Sequence, residues 1–139
     1  MSAVRLWHKD LIPVLPKQQL LGQWRECCAI AANLREKGTP NHVLVNQVLD
    51  FPVDHFWQYC ANVCEEMERR HYLCRWSALE NAMGDVWHYP RVSQADLFKG
   101  WHNGRYLRQC LYTLQEKADC GAIPNHEWEL ITDRWPWFE

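Results

Sequence analysis

One long helical period constrains the fold of this chain more than any other feature. From Lys17 to Lys37, apolar residues recur every three to four positions, the spacing of an amphipathic helix. Pro16 suits the beginning of such a helix because its missing N–H would be unpaired there, and Gly38 suits its end. The positions expected to face the core are Leu20, Trp24, Cys27 with Cys28, Ala31 and Leu34. The sequence therefore predicts a helix over residues 17–37.

The same periodicity predicts two further principal helices. The first runs from about Pro52 to Arg70 and the second from about Arg105 to Asp119. The first helix's core positions are Phe56, Tyr59 with Cys60, Val63 and Met67, and the second's are Leu107, Cys110 with Leu111, Leu114 and Ala118. These two segments and residues 17–37 give the chain its expected framework.

The remaining segments carry weaker signals. The first fifteen residues and residues 72–92 are predicted to be irregular, and residues 42–49 fit either a strand or a short helix. Ser93 is placed to cap a short helix toward Trp101, and Asn125 to cap a last short helix. Because strand signals are few, we expect an all-α fold. Residues 1–139 should form one compact domain with three principal helices and long structured connections.

Composition narrows the class of protein. No apolar run approaches the roughly 20 residues that span a bilayer, and Lys9 and Asp10 interrupt any N-terminal signal sequence. We therefore expect a cytoplasmic protein in which the seven cysteines are reduced thiols. Cys60 and Cys64 share one helix face near His55, but burial explains such cysteines better than metal binding. No metal or other cofactor is expected.

The net charge of −2 argues against a general polyanion binder, but the charges are unevenly distributed. Residues 1–37 carry six Lys or Arg against three acids, and residues 91–117 carry five against two. This distribution allows either one basic face or scattered solvated charges, and the sequence leaves both open.

The stretch LLGQWRECCA places Arg25 and Glu26 in the middle of the first helix. Glu26 shares a polar face with Gly22 and two glutamines, away from the apolar stripe. A glycine within a helix costs about 1 kcal/mol relative to alanine, so either a ligand or a crossing segment should approach at Gly22. Arg25 and Glu26 could form a surface pair or a catalytic pair.

A resemblance favours the catalytic interpretation. RLWHKDLIPVLPKQQLLGQWRECCAIAANLREKG resembles the start of the pyrimidine-dimer DNA glycosylase family, the phage-type endonuclease V group and its bacterial relatives. In that family a short N-terminal segment precedes a long helix that bears an Arg-Glu pair. Without gaps, Arg25 and Glu26 fall on that pair, and Leu15 and Leu20 fall on family leucines.

The resemblance implies a defined reaction on damaged double-stranded DNA. Family enzymes use the α-amino group of their first residue to attack the sugar C1′ of a damaged pyrimidine, and they cut the strand by β-elimination. Glu26 would stabilise the cationic intermediate and Arg25 would contact a phosphate. Ser2 would carry the nucleophilic amine if Met1 is removed. Alternatively Val4 could mark the start of translation, and Lys9 is a fallback nucleophile.

The resemblance also marks side chains expected to contact DNA. These are Arg5, His8, Lys9, Gln19, Gln23 and Lys117. Lys117 falls on a phosphate-binding lysine of the family, whereas Ala29 and Thr113 replace family basic residues and Gln19 replaces a histidine. Fewer basic residues imply weaker and less salt-dependent DNA binding.

A second class of function remains open from the sequence. The same scaffold could be a non-catalytic helical domain that binds nucleic acid or another protein, with Arg25 and Glu26 as a structural pair. Trapping of a covalent intermediate with abasic-site DNA separates the two. The lesion, the true first residue and the oligomeric state are left open.

Overall fold

Five α-helices form the frame of the molecule in the computed structural model, which describes residues 5–40, 42–83 and 91–138. They are α1 (Lys17–Lys37), α2 (Val53–Arg69), α3 (Trp76–Met83), α4 (Gly104–Asp119) and α5 (Asn125–Arg134). Short 3-10 helices cover Lys9–Val14, Asn46–Asp50 and Pro136–Phe138. Within the described ranges there is no strand, so the prediction of an all-α fold is confirmed.

Helix α1 begins and ends as the sequence predicts. Its first-turn Lys17 N–H donates to the Glu127 carboxylate of α5 at 2.5 Å. Gly38 adopts φ +70° and donates its N–H to the Leu34 carbonyl, which closes the last turn in a left-handed conformation that glycine favours. Between these ends, Leu20, Cys27 and Ala31 are fully buried. The predicted apolar stripe is therefore the face that α1 packs on α2 and α3.

Helix α3 corrects the prediction that residues 72–92 are irregular. Trp76 stacks on Trp24 with ring centroids 6.0 Å apart and lies 5.4 Å from the Trp57 ring. Leu79, one turn later, is fully buried. Contacts with α1 and α2 thus stabilise a helix of 8 residues whose local signal is weak. Residues 84–90 of the same predicted segment lie outside the described residues.

The N-terminal part also differs from the prediction. Lys9–Val14 forms a 3-10 helix rather than irregular chain. The Arg70 guanidinium donates to the carbonyl oxygens of Leu15 (2.7 Å) and Pro13 (3.2 Å) and to the buried Glu66 carboxylate. A side chain at the end of α2 therefore satisfies backbone groups that the 3-10 helix leaves unpaired.

The other predicted segments are resolved as short helices and turns. Residues 42–49, left open between strand and helix, enter the 3-10 helix Asn46–Asp50. Asn103 is the N-cap of helix α4, and its side chain accepts from the Tyr106 N–H. Ser93 Oγ accepts from the Asp96 N–H as a cap would, but the residues after it form successive turns rather than one helix. Asn125 is the first residue of α5 instead of its cap.

No helix among the described residues combines the length and apolar character needed to cross a bilayer.

Candidate functional site

Arg25 and Glu26 lie at the edge of the buried stripe of α1. Their neighbours Trp24 and Cys27 face the core, and this orientation turns Arg25 out to solvent and leaves Glu26 half-buried. The pair therefore sits on the surface of the helix, in reach of a ligand, rather than under packed side chains.

The Glu26 carboxylate makes no hydrogen bond and no ion pair with any residue in 5–40, 42–83 or 91–138. Glu66, a buried glutamate of α2, gives the contrast. It is 7% exposed and is bound by the guanidinium groups of Arg69 and Arg70. Within the described residues, Glu26 is thus a partly dehydrated carboxylate whose acceptor sites are open, as a catalytic acid or base requires.

Arg25 lies beside a shallow apolar cleft. The cleft has a volume of about 380 Å³ and is lined by Trp24, Arg25, Cys28, Leu73, Arg75 and Ala78. The Arg25 guanidinium also covers Gly22, because a Cβ added to that glycine would meet Nη2 at 3.6 Å. Among the described residues, no other helix or segment comes within 4 Å of that Cβ position.

Gln23 is buried, although the sequence suggested that it contacts DNA. It is 1% exposed, accepts the Trp7 N–H at 2.7 Å and donates Nε2 to the Arg5 carbonyl at 3.0 Å. The Tyr59 hydroxyl lies 2.9 Å from Gln23 Oε1 and 2.5 Å from the Trp7 carbonyl oxygen. The polar atoms of Gln23 are thus used to hold the N-terminal segment on α1 and α2.

Arg5 is the first described residue of the N-terminal segment, and it is half-buried. The Arg5 guanidinium lies 5.1 Å from the Trp7 ring and donates to Cys110 Sγ of α4 at 3.8 Å. Ser2, the expected carrier of the nucleophilic amine, and Val4, the alternative start, both lie outside the described residues. Arg5 brings the chain close to the Gln23 turn of α1.

His8 and Lys9 are also buried, at 3% and 8% exposure. His8 Nδ1 accepts the Asp10 N–H at 3.1 Å, and the Lys9 ammonium donates to the Gln94 carbonyl at 2.5 Å. Burial lowers the pKa of both groups, with Asp10 opposing that effect. The Lys9 ammonium is therefore held by a backbone carbonyl oxygen, while its lowered pKa is the property that a nucleophilic lysine needs.

Gln19 and Lys117, the other two residues expected to contact DNA, differ in their exposure. Gln19 lies one turn before Gln23, is half-buried, and leaves Oε1 without a hydrogen-bond partner among the described residues. Lys117 is exposed in the last turn of α4. Of the expected DNA contacts, Lys117 and the partly exposed Arg5 and Gln19 remain accessible.

His55, Cys60 and Cys64 do not form a metal site. His55 Nδ1 accepts the Phe98 N–H at 3.0 Å, and both cysteines are buried on α2. Burial raises the pKa of each thiol, well above its ordinary value for Cys60. No three His, Cys, Asp or Glu side chains in the described part of the chain are arranged to hold a metal ion.

Three side chains near the N-terminal segment were missed by sequence reasoning. They are Tyr59, Tyr106 and His102. The Tyr106 hydroxyl donates to the Leu6 carbonyl at 2.6 Å, and His102 Nδ1 accepts the Lys9 N–H at 2.9 Å. Tyr59 was predicted to be a core residue, which is right for its ring but gives no sign of its hydroxyl's partner.

Comparison with known proteins gives one match. A family model described as pyrimidine dimer DNA glycosylase matches residues 4–75. This range contains the N-terminal segment, α1 and α2, and it ends before α3 and α4. No curated protein and no solved structure matches the chain.

Proposed function

We propose a DNA-repair function for this chain, which belongs to the pyrimidine dimer DNA glycosylase family. The match spans just over half of the 139 residues and includes Arg25 and Glu26. The proposed activity removes a damaged pyrimidine from double-stranded DNA and then cuts the strand at the abasic site. The lesion class is that of the family, a pyrimidine dimer.

The open carboxylate of Glu26 is the observation that carries this proposal. Glu26 lies one turn after Gln23, which binds the Arg5 carbonyl, so the two positions are about 4.5 Å apart along the axis of α1. Arg5, the first described residue, is therefore held one helical turn from an acid that has no partner among the described residues. An imine-forming glycosylase needs an amine close to such an acid.

The reaction follows from the chemistry of an α-amine. Its pKa of about 7.7–8.0 leaves much of it neutral near pH 7.5, whereas most lysine remains protonated. The nitrogen forms a bond to C1′ as the bond from C1′ to the damaged base breaks. Loss of a proton from nitrogen and opening of the sugar ring give an imine. Loss of a C2′ proton then expels the 3′ phosphate.

Glu26 supports this sequence of steps in two ways. Its negative charge stabilises the cation that develops on the sugar, and its oxygens accept and return protons. Such positioned acid–base groups typically contribute about 10²–10⁴-fold in rate.

The DNA contacts in this proposal are the accessible basic groups. Arg25 stands beside Glu26 in sequence and would contact a phosphate next to the lesion, while Arg5 and Lys117 would contact phosphates further away. Because few cations take part, binding should show a modest salt dependence, with a slope of about 0.9 per phosphate neutralised. The damaged nucleotide must leave the base stack before the amine can reach C1′.

Borohydride trapping on defined duplexes tests the proposal. We expect the protein to form a covalent adduct with dimer-containing duplex when borohydride is present, and to nick the same duplex when it is absent. Undamaged duplex of the same sequence is the control and should give neither product. Binding to damaged duplex without adduct or nicking would contradict the enzyme and favour the non-catalytic binding domain.

A further inference from the structure

Four side chains from three parts of the fold hold the backbone of residues 5–9, and we name them the backbone clamp. They are Gln23 of α1, Tyr59 of α2, Tyr106 of α4 and His102, which lies two residues before α4. Together they bind the N–H or carbonyl group of four of these five residues at 2.5–3.0 Å.

The clamp fixes which residue of the segment lies at each position, in addition to holding the segment against the helices. The segment before Lys9 belongs to no helix or strand among the described residues, so its backbone groups need side-chain partners. Gln23 binds residues 5 and 7 and Tyr106 binds the carbonyl of residue 6, which matches the alternation of an extended chain. A slip of one residue would break these bonds and expose Leu6, which is fully buried.

The clamp is uncharged across the pH range in which enzymes work. Burial raises the pKa of Tyr59 well above its ordinary value and also raises that of Tyr106. Burial lowers the pKa of His102 to about 2, and the nearby His8 and Lys9 side chains add to this effect. The clamp's hydrogen bonds therefore do not depend on pH in that range.

The clamp also gives the segment a direction. Leu15 and Pro16 lead straight into the beginning of α1, yet Trp7 and Arg5 bind Gln23, almost two turns along the helix. The segment therefore runs against the direction of α1. At its first described residue, Arg5, it is held at Gln23, one helical turn before Glu26.

We propose that Gln23, supported by Tyr59 and Tyr106, is a positioning residue that delivers the amino end of the chain to the Glu26 side of α1. This inference rests on the proposed function, since it assigns the clamp a part in the attack on C1′. Gln23 touches neither DNA nor the reacting atoms. It acts by restricting where the amine can be, and a misplacement of about 1 Å can cost about 10²-fold in rate.

Single-turnover borohydride trapping of Gln23→Met on abasic-site duplex tests the proposal. Met has a similar volume but cannot bind the Trp7 N–H or the Arg5 carbonyl. We expect the rate constant of adduct formation to fall about 10–100-fold, while the Kd for the duplex stays within about 2-fold. Gln18→Met, an exposed glutamine on the same helix, is the matched control and should keep the wild-type rate constant.

Rate constant and amplitude separate positioning from folding. A purely structural role would reduce the amplitude, because fewer molecules are folded, but leave the rate constant of the folded molecules unchanged. If Gln23→Met does not fold, Tyr106→Phe serves instead, since it removes only the hydroxyl that binds the Leu6 carbonyl. We expect Tyr106→Phe to lower the rate constant about 3–10-fold, and Tyr112→Phe, exposed on the same helix, to leave it unchanged.

The outcomes distinguish this inference from the proposed function. An inactive wild-type protein overturns the glycosylase proposal and the clamp's catalytic part with it. An active wild type whose folded Gln23→Met or Tyr106→Phe variant keeps its rate constant overturns the clamp alone. A rate loss that disappears at saturating DNA also overturns it, because the clamp would then act on binding.

Discussion

In two consecutive turns of α1, the polar side chains differ in burial and in hydrogen bonding. In the first, Gln23 is buried and its amide is bonded to Trp7, Arg5 and Tyr59. In the second, Glu26 is half-buried and has no partner among the described residues. One helix face can therefore carry one polar side chain that stabilises the fold and, a turn later, another that is available for chemistry.

The division has a physical basis. An unpaired buried amide would cost about 1–3 kcal/mol, and both polar atoms of the Gln23 amide have hydrogen-bond partners. Glu26 keeps part of its hydration and tolerates the lack of a partner. Substitutions in the two turns should therefore affect different measurements, stability in the first and reaction rate in the second.

The largest effect should come from Glu26→Gln. We expect adduct formation on abasic-site duplex to slow by about 10²–10⁴-fold, because the carboxylate no longer stabilises the cation or moves protons. The melting temperature should change little, since no bond within the described structure is lost. Glu36→Gln, exposed near the end of the same helix, is the control and should react normally. A wild-type rate in Glu26→Gln would remove the distinction between the two turns.

Tyr59→Phe should act on stability. The Trp7 carbonyl would lose the donor that lies 2.5 Å away in a fully buried site. The free energy of unfolding should fall by about 1–3 kcal/mol, measured by urea denaturation. The exposed Tyr112→Phe should change it by less than about 0.5 kcal/mol. An equal change in both variants would show that the buried hydroxyl contributes nothing.

Acid should lower the stability of the fold through two buried histidines. His8 and His102 have lowered pKa values because burial disfavours their charged forms. Below about pH 6.5 the unfolded chain binds protons that the folded chain does not, so stability is present above that pH and is lost as pH falls. For His102, the loss between pH 6.5 and 5 is on the order of 2 kcal/mol.

Thermal unfolding between pH 7.5 and 5 measures this effect. His102→Gln should flatten the dependence of the melting temperature on pH over that range. His126→Gln, exposed on α5, should keep the wild-type dependence. A profile that His102→Gln leaves unaltered would contradict the role of the buried histidine.

The smallest effect concerns Gly22, immediately before Gln23. Gly22→Ala should raise the free energy of unfolding by about 1 kcal/mol, because an added Cβ meets only the flexible Arg25 guanidinium at an ordinary distance of 3.6 Å. Gly38→Ala should instead lower it, since Gly38 adopts φ +70°. If Gly22→Ala folds more stably but cleaves DNA slowly, a DNA group approaches the helix at that glycine.

Much of the frame could be predicted from the sequence, because α1, α2 and α4 carry their own periodic signals. Residues 17–37 were predicted with both ends, and α2 and α4 within one residue at each end. Helix α3 was missed because Trp76 depends on the rings of Trp24 and Trp57, which are distant in sequence. Local patterns contain no information about such pairs.

Only part of the candidate site could be predicted from the sequence. The resemblance identified Arg25 and Glu26, because they are adjacent and lie in a distinctive stretch of α1. It also suggested that Gln23 contacts DNA, since the side chain shares the polar face. The sequence gives no sign that Trp7 and Arg5 need a side-chain partner, because that need arises only when the extended segment lies on three helices.

The most direct measurement is the mass of the peptide that carries the reduced adduct. After trapping on abasic-site duplex and digestion, we expect the sugar fragment on the α-nitrogen of the first residue, which is Ser2 if only Met1 is removed. An adduct on the Lys9 side chain or on another lysine, or strand cutting without an adduct, would contradict it.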